Sequence, residues 1–114
     1  MLEIPLIQVP NQELLITLNE QDCTLHIYQR RERVYLDLAM DGVTLRRGAV
    51  CLPCVDVVAQ PYPFRGHLYW TDELSKPEKQ QPPRYMGFGT RYHLYYLTHE
   101  EQEEILTEAG LNIL

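Results

Sequence analysis

The chain has 114 residues, 45% of them hydrophobic and 23% charged, the profile of one globular domain with a single modest core. Its formal net charge of −6 sits mostly at the end: residues 98–114 hold Glu100, Glu101, Glu103, Glu104 and Glu108 and no lysine or arginine. The nearly neutral body argues against direct nucleic-acid binding, which needs positive charge gathered on one face, and Arg30, Arg31, Arg33, Arg46 and Arg47 read as solvated turn residues.

The opening "MLEIPLIQVP" contains Glu3 and two prolines and lacks the basic start of a signal peptide. The apolar stretch around "AVCLPCV" is far shorter than the ~18–20 residues that span a bilayer. Three cysteines, an odd number, do not suggest a secreted disulfide framework. The expectation is a chain made and kept in a reducing cytoplasm, with no membrane contact.

Period-two alternation then predicts strands in succession. "ELLITL" places Leu14, Ile16 and Leu18 on one face, and "CTLHIY" does the same with Cys23, Leu25 and Ile27. "RVYLDLAM" lines up Val34, Leu36, Leu38 and Met40, with Tyr35 and Asp37 facing the other way. Asp41-Gly42, before "VTLRR", supplies the positive φ angles of a two-residue hairpin turn. Asn19–Asp22 and Gln29–Glu32 read as the other turns of an antiparallel meander.

"CLPCVDVVAQPYP" breaks the alternation, and its prolines limit it to a crossover with at most one helical turn. Strands resume at "FRGHLYW" and "GTRYHLYYL". Between them residues 72–89 form a polar, proline-containing loop expected to be poorly ordered in the isolated protein. The end reads as a helix: Thr98 and Glu101 form a capping box, and acidic residues fill the first turns. Gly110 suits its C-terminal cap, with Leu111 placed to touch Leu106. A stripe of Ile105, Leu106 and Ala109 predicts docking by the helix's second half.

Two constellations could carry chemistry. Cys51-Leu-Pro-Cys54 has redox-dithiol spacing, but Pro61 cuts short any following helix. Zinc needs four ligands, and His26, His67, His93 and His99 are scattered, so small buried or half-buried thiols are the plainer reading. The second constellation is a repeat, "RGHLYW" at 65–70 and "RYHLYY" at 91–96. Strand alternation sends Leu68, Trp70, Tyr92, Leu94 and Tyr96 inward and gathers Arg65, His67, Tyr69, Arg91, His93 and Tyr95 outward. The outward set lacks a nucleophile or enough metal ligands, whereas Tyr and Arg are enriched where protein partners bind hardest. It is therefore a candidate partner-contact patch, in competition with plain sheet surface.

The order of short motifs adds a resemblance. Ile4-Pro5-Leu6, Val9 to Gln12, "YLDL" with Asp41-Gly42, Leu45-Arg-Arg-Gly48, "VDVV" at 55–58 and "GTRYHLYYL" follow one another. Over about residues 3–97 this resembles the baseplate-plug family of contractile-tailed cyanophages. The resemblance implies a small, mostly antiparallel β-barrel with a structural role at the centre of the tail baseplate, meeting hub and tube proteins. Cys54 stands where that family typically has glycine, the 72–89 loop is longer, and the acidic helix is an addition.

These readings combine into one expectation: a mainly β protein, a small antiparallel β-barrel or sandwich over 1–97 with an acidic α-helix and tail over 98–114. It would be a non-enzymatic, cofactor-free virion component acting through contacts with other baseplate, hub or tail-tube proteins, in several copies. The competing expectation is a small cytoplasmic metal-binding or thiol-redox protein using Cys51 and Cys54.

Overall fold

The computed structural model of the chain describes residues 1–59 and 62–108, without the side chains of residues 77 and 106–108. Among the described residues, seven strands form two antiparallel sheets. β1 (Leu2–Ile4), β7 (Tyr92–Leu97) and β6 (His67–Asp72) make a three-stranded sheet in the order β1-β7-β6. β2 (Asn11–Leu18), β3 (Gln21–Arg30), β4 (Arg33–Met40) and β5 (Val43–Val50) make a four-stranded meander. The expected barrel is not closed: the two sheets remain separate and share one core.

Alternation decides what enters that core. Cys23, Leu25 and Ile27 of β3 and Val34, Leu36 and Leu38 of β4 are buried against Leu68, Trp70, Leu94 and Tyr96 of the smaller sheet. The turns follow from local chemistry. Asn19 and Glu20 both have positive φ, as do Asp41 and Gly42, the backbone that a two-residue hairpin with right-handed twist requires. β5 carries extra residues against β4 between Leu36 and Ala39, and Gly48 takes φ +65 at this bulge.

β1 has no counterpart in the expected element order. With three residues ended by Pro5 it is too short to show alternation, and it exists because β7 offers it an edge, pairing Glu3 with Tyr95. The free edge of β6 is covered by the proline-containing crossover: the Cys54 N–H donates to the Trp70 carbonyl and the Val57 N–H to that of Leu68, each at 2.9 Å. Sheet edges left unpaired invite association, and this one is closed by the chain itself.

Residues 72–89, expected as a polar loop, carry short regular pieces. They contain two 3-10 turns, Pro77–Lys79 and Tyr85–Gly87, and Phe88 returns to the core. The fixing element is Asp72, whose buried carboxylate takes a forked pair of hydrogen bonds from Arg91 at 2.8 and 2.9 Å and further bonds from the Leu74 and Gln81 N–H groups. A satisfied buried acid can organise a segment that has few apolar contacts of its own.

The helix α1 (His99–Glu108) begins with the expected capping box: the Thr98 N–H donates to Glu101 Oε1 at 2.9 Å, and the Glu101 N–H to Thr98 Oγ1 at 3.2 Å. Among the described residues, His99 and Gln102 of its first half contact His67 and Tyr69, and Ile105, 44% exposed, lines a groove with Tyr69 and Tyr95. The Leu106 side chain, Ala109 and the Gly110–Leu111 cap lie outside the described residues. No helix among the described residues is long and apolar enough to cross a membrane.

Candidate protein-interaction surfaces

The outer face of the three-stranded sheet receives only part of the expected Arg-His-Tyr patch. Tyr69 and Tyr95 stand directly opposite one another on β6 and β7, both half-buried. His93 is held between two carboxylates, with Nδ1 2.6 Å from Glu3 Oε2 and Nε2 2.7 Å from Glu73 Oε2. Partial burial works against the imidazolium, but the hydrogen bond to Glu3, the Thr90 carbonyl and the two glutamate charges outweigh it and raise the His93 pKa.

The other members go elsewhere. His67 is buried, not outward: its Nδ1 lies 2.6 Å from Asp56 Oδ2, and its ring packs against His99 of α1 at 5.7 Å between centroids. Strand parity pointed it away from the core, but the helix and the crossover cover that side of the sheet. Arg91 precedes β7 and turns to the buried Asp72. Arg65 lies before β6, since Gly66 at φ +123 breaks the strand; its guanidinium reaches the Asn19 carbonyl at 3.2 Å.

Tyr69, Tyr95, Leu97, Gln102, Ile105 and Met1 line an apolar groove of about 410 Å³ on the same face. Gln102 donates to the Tyr69 hydroxyl, and the Met1 amino group pairs with Glu101. The groove is a surface of aromatic and aliphatic groups with few polar atoms, suited to a protein side chain and poorly suited to a charged small molecule.

A second surface was missed in the sequence. On the outer face of the four-stranded sheet, Tyr28 stacks on Tyr35 at 5.8 Å and meets the tilted His26 ring at 4.6 Å, and the Arg30 guanidinium lies 5.3 Å over the Tyr28 ring. Asp37 ties the group together, accepting from the Gly48 N–H at 2.6 Å and the Tyr28 hydroxyl at 3.2 Å, with His26 Nδ1 at 3.3 Å. The outward positions Tyr35 and Asp37 were legible; their meeting with His26 and Tyr28 needed the β3–β4 register.

The cysteine pair does not form a two-thiol site. Cys51 is fully buried, and burial pushes its thiol up to about 12, whereas Cys54 is exposed. Cys54 also takes φ +60, a backbone that favours glycine. Cys23 is likewise buried, its thiol pushed up to about 11 by burial and by the charge of Asp41. Among the described residues no group of three or more His, Cys, Asp or Glu side chains is placed to hold a metal ion.

The short sequence motifs acquire structural roles. Asp56 of "VDVV" accepts from the Val58 and Leu68 N–H groups at 3.1 and 3.2 Å, pinning the crossover to β6, while Val57 and Val58 enter the core. Asp37 of "YLDL" bonds the Gly48 that closes "LRRG". Gln12 clasps the backbone of Ile7 through both ends of its amide.

Comparison with known proteins agrees with those motifs. A family model described as "Cyanophage baseplate Pam3 plug gp18" matches residues 1–100. None of the curated proteins matches the chain.

Proposed function

The chain belongs to the cyanophage baseplate plug family, and from that premise we propose that it is a structural plug of the phage tail that associates with the hub and tube proteins at the baseplate centre. The observation that carries this reading is the family match, which spans both sheets and stops at the start of α1. The protein's work is mechanical: it occupies space in the virion tail and holds protein contacts, in several copies, until the tail fires. The C-terminal helix, lying almost wholly beyond the match, is this chain's own addition to that scaffold.

We place one contact on the outer face of the three-stranded sheet, at Tyr69, His93 and Tyr95 with the apolar groove beside them. Aromatic anchors in such grooves can each contribute ~2 kcal/mol or more to binding. Doubly substituted Tyr69→Ala, Tyr95→Ala protein should remain folded yet fail to enter baseplates. A control, Leu94→Ala, removes a core side chain and should cost about 2–5 kcal/mol of stability. Normal incorporation of the double variant would remove this face from the contact map.

A further inference from the structure

The two ends of the four-stranded sheet carry opposite charge. At one end the β3–β4 turn presents Arg30, Arg31 and Arg33, all exposed, and the hydrogen bond from the Tyr85 N–H to Gln29 Oε1 at 2.9 Å brings exposed Arg84 beside them. Among the described residues none of these four arginines has an acidic partner within ion-pair distance. Glu32 is the one acid in the turn itself.

At the other end lie the β2–β3 and β4–β5 turns, with exposed Glu20, Asp22 and Asp41, and the Asp41 N–H bonds the Asp22 carbonyl at 3.0 Å. The start of β6 is fastened there by the bond from the Arg65 N–H to Gln21 Oε1 at 2.7 Å, and Glu100 rims a cleft that also contains Asn19. Arg65 at this end is turned to the Asn19 backbone carbonyl.

The ten residues of β3 separate the two ends by about 30 Å at ~3.3 Å per residue. At ~0.15 M ionic strength charges are screened beyond ~8 Å, so the ends cannot neutralise each other within one molecule. They can do so only by contact between molecules. A nucleic acid is the other conceivable occupant of the basic end, but the net charge of −6 repels a polyanion at long range. A second copy of this chain carries the matching acidic surface in equal amount.

We propose that the arginine-bearing β3–β4 end of one copy docks on the acidic β2–β3, β4–β5 and α1 end of the next, head to tail. Such a contact is heterologous, and it closes into a ring or extends into a stack according to the rotation between copies. The proposal rests on the reading of several copies in one baseplate. Its test uses purified protein, so its failure is distinguishable from a failure of particle incorporation.

The experiment is sedimentation velocity of the full chain over a concentration series at low and high ionic strength. Wild type should self-associate at low salt, with affinity at least about tenfold weaker at high salt. Arg30→Glu, Arg33→Glu protein has two acidic ends and should be monomeric alone; Glu20→Lys, Glu100→Lys protein has two basic ends and should also be monomeric alone. Mixed in equal amounts, the two should form a complex. Thermal melts check that both variants fold, and Arg30→Gln, Arg33→Gln replaces the first if it does not, with weakened self-association expected. A wild-type monomer at every concentration in low salt overturns the proposal, as does failure of two folded reversed variants to combine. Binding of a fluorescent single-stranded oligonucleotide by a wild type that stays monomeric, lost in the arginine variant, overturns it in favour of nucleic acid.

Discussion

At Asp72 a fully buried carboxylate gathers two bonds from Arg91 and two backbone N–H groups of the following loop. The Arg91 guanidinium beside it, aided by those N–H groups, holds its pKa far below the usual carboxylate range. Asp72→Ala should cost about 2–4 kcal/mol in denaturant unfolding, because partners buried around it lose their acceptor. The stability it contributes is complete above the ordinary Asp value of ~3.9 and is lost as pH falls through the lower folded value. His93 has the opposite sign. Its raised pKa means that its two glutamate contacts count fully below the ordinary histidine value of ~6.5 and are lost as pH rises through the folded value. Between about pH 6 and about pH 8 the melting temperature of wild type should therefore fall more than that of His93→Gln. Cys54 tests backbone rather than charge. A side chain at φ +60 costs ~1–2 kcal/mol, partly offset by glycine's greater freedom when unfolded, so Cys54→Gly should stabilise by roughly 0.5–1 kcal/mol in the same unfolding assay.

Among the elements, the meander was readable because its alternation and its turn residues agree. Val34, Leu36 and Leu38 announce β4, Asp41-Gly42 announces its hairpin, and the strand bounds Arg33–Met40 coincide with the expected run. β1 escaped because three residues carry no period, and its pairing with β7 spans nearly the whole sequence. The contacts of the 72–89 segment escaped because they join Asp72 to Arg91, Gln80 to the Asp72 backbone and Tyr85 to Gln29, pairings that composition cannot display. The repeated Arg-x-His-Leu-Tyr motif was half legible. Parity placed Leu68, Trp70, Leu94 and Tyr96 inward, but it could not foresee that α1 and Asp56 would cover His67. Gly66, inside the first copy of that motif, has a reason visible only in three dimensions: an added Cβ would stand 2.4 Å from the Tyr96 ring. Gly66→Ala should accordingly lose about 2–4 kcal/mol by overpacking and backbone strain, read as a lowered denaturation midpoint with unchanged slope.

For the whole molecule, the family resemblance was legible because its motifs fall at structural joints: Gln12 on Ile7, Asp37 on Gly48, Asp56 on Leu68. The proposed contact surfaces were less so, since they depend on which faces the helix and crossover leave open, and no periodicity encodes that. The central claim is that this chain is a structural part of the tail baseplate, and it is tested most directly in the particle. Purified virions should be treated to release intact tails, and the tail fraction analysed by quantitative mass spectrometry alongside particles assembled without this gene. The account predicts that the protein sediments with baseplates in fixed ratio to other baseplate subunits, and that its omission leaves non-infectious particles with incomplete tails. Infectious, structurally complete virions assembled without the protein would contradict it.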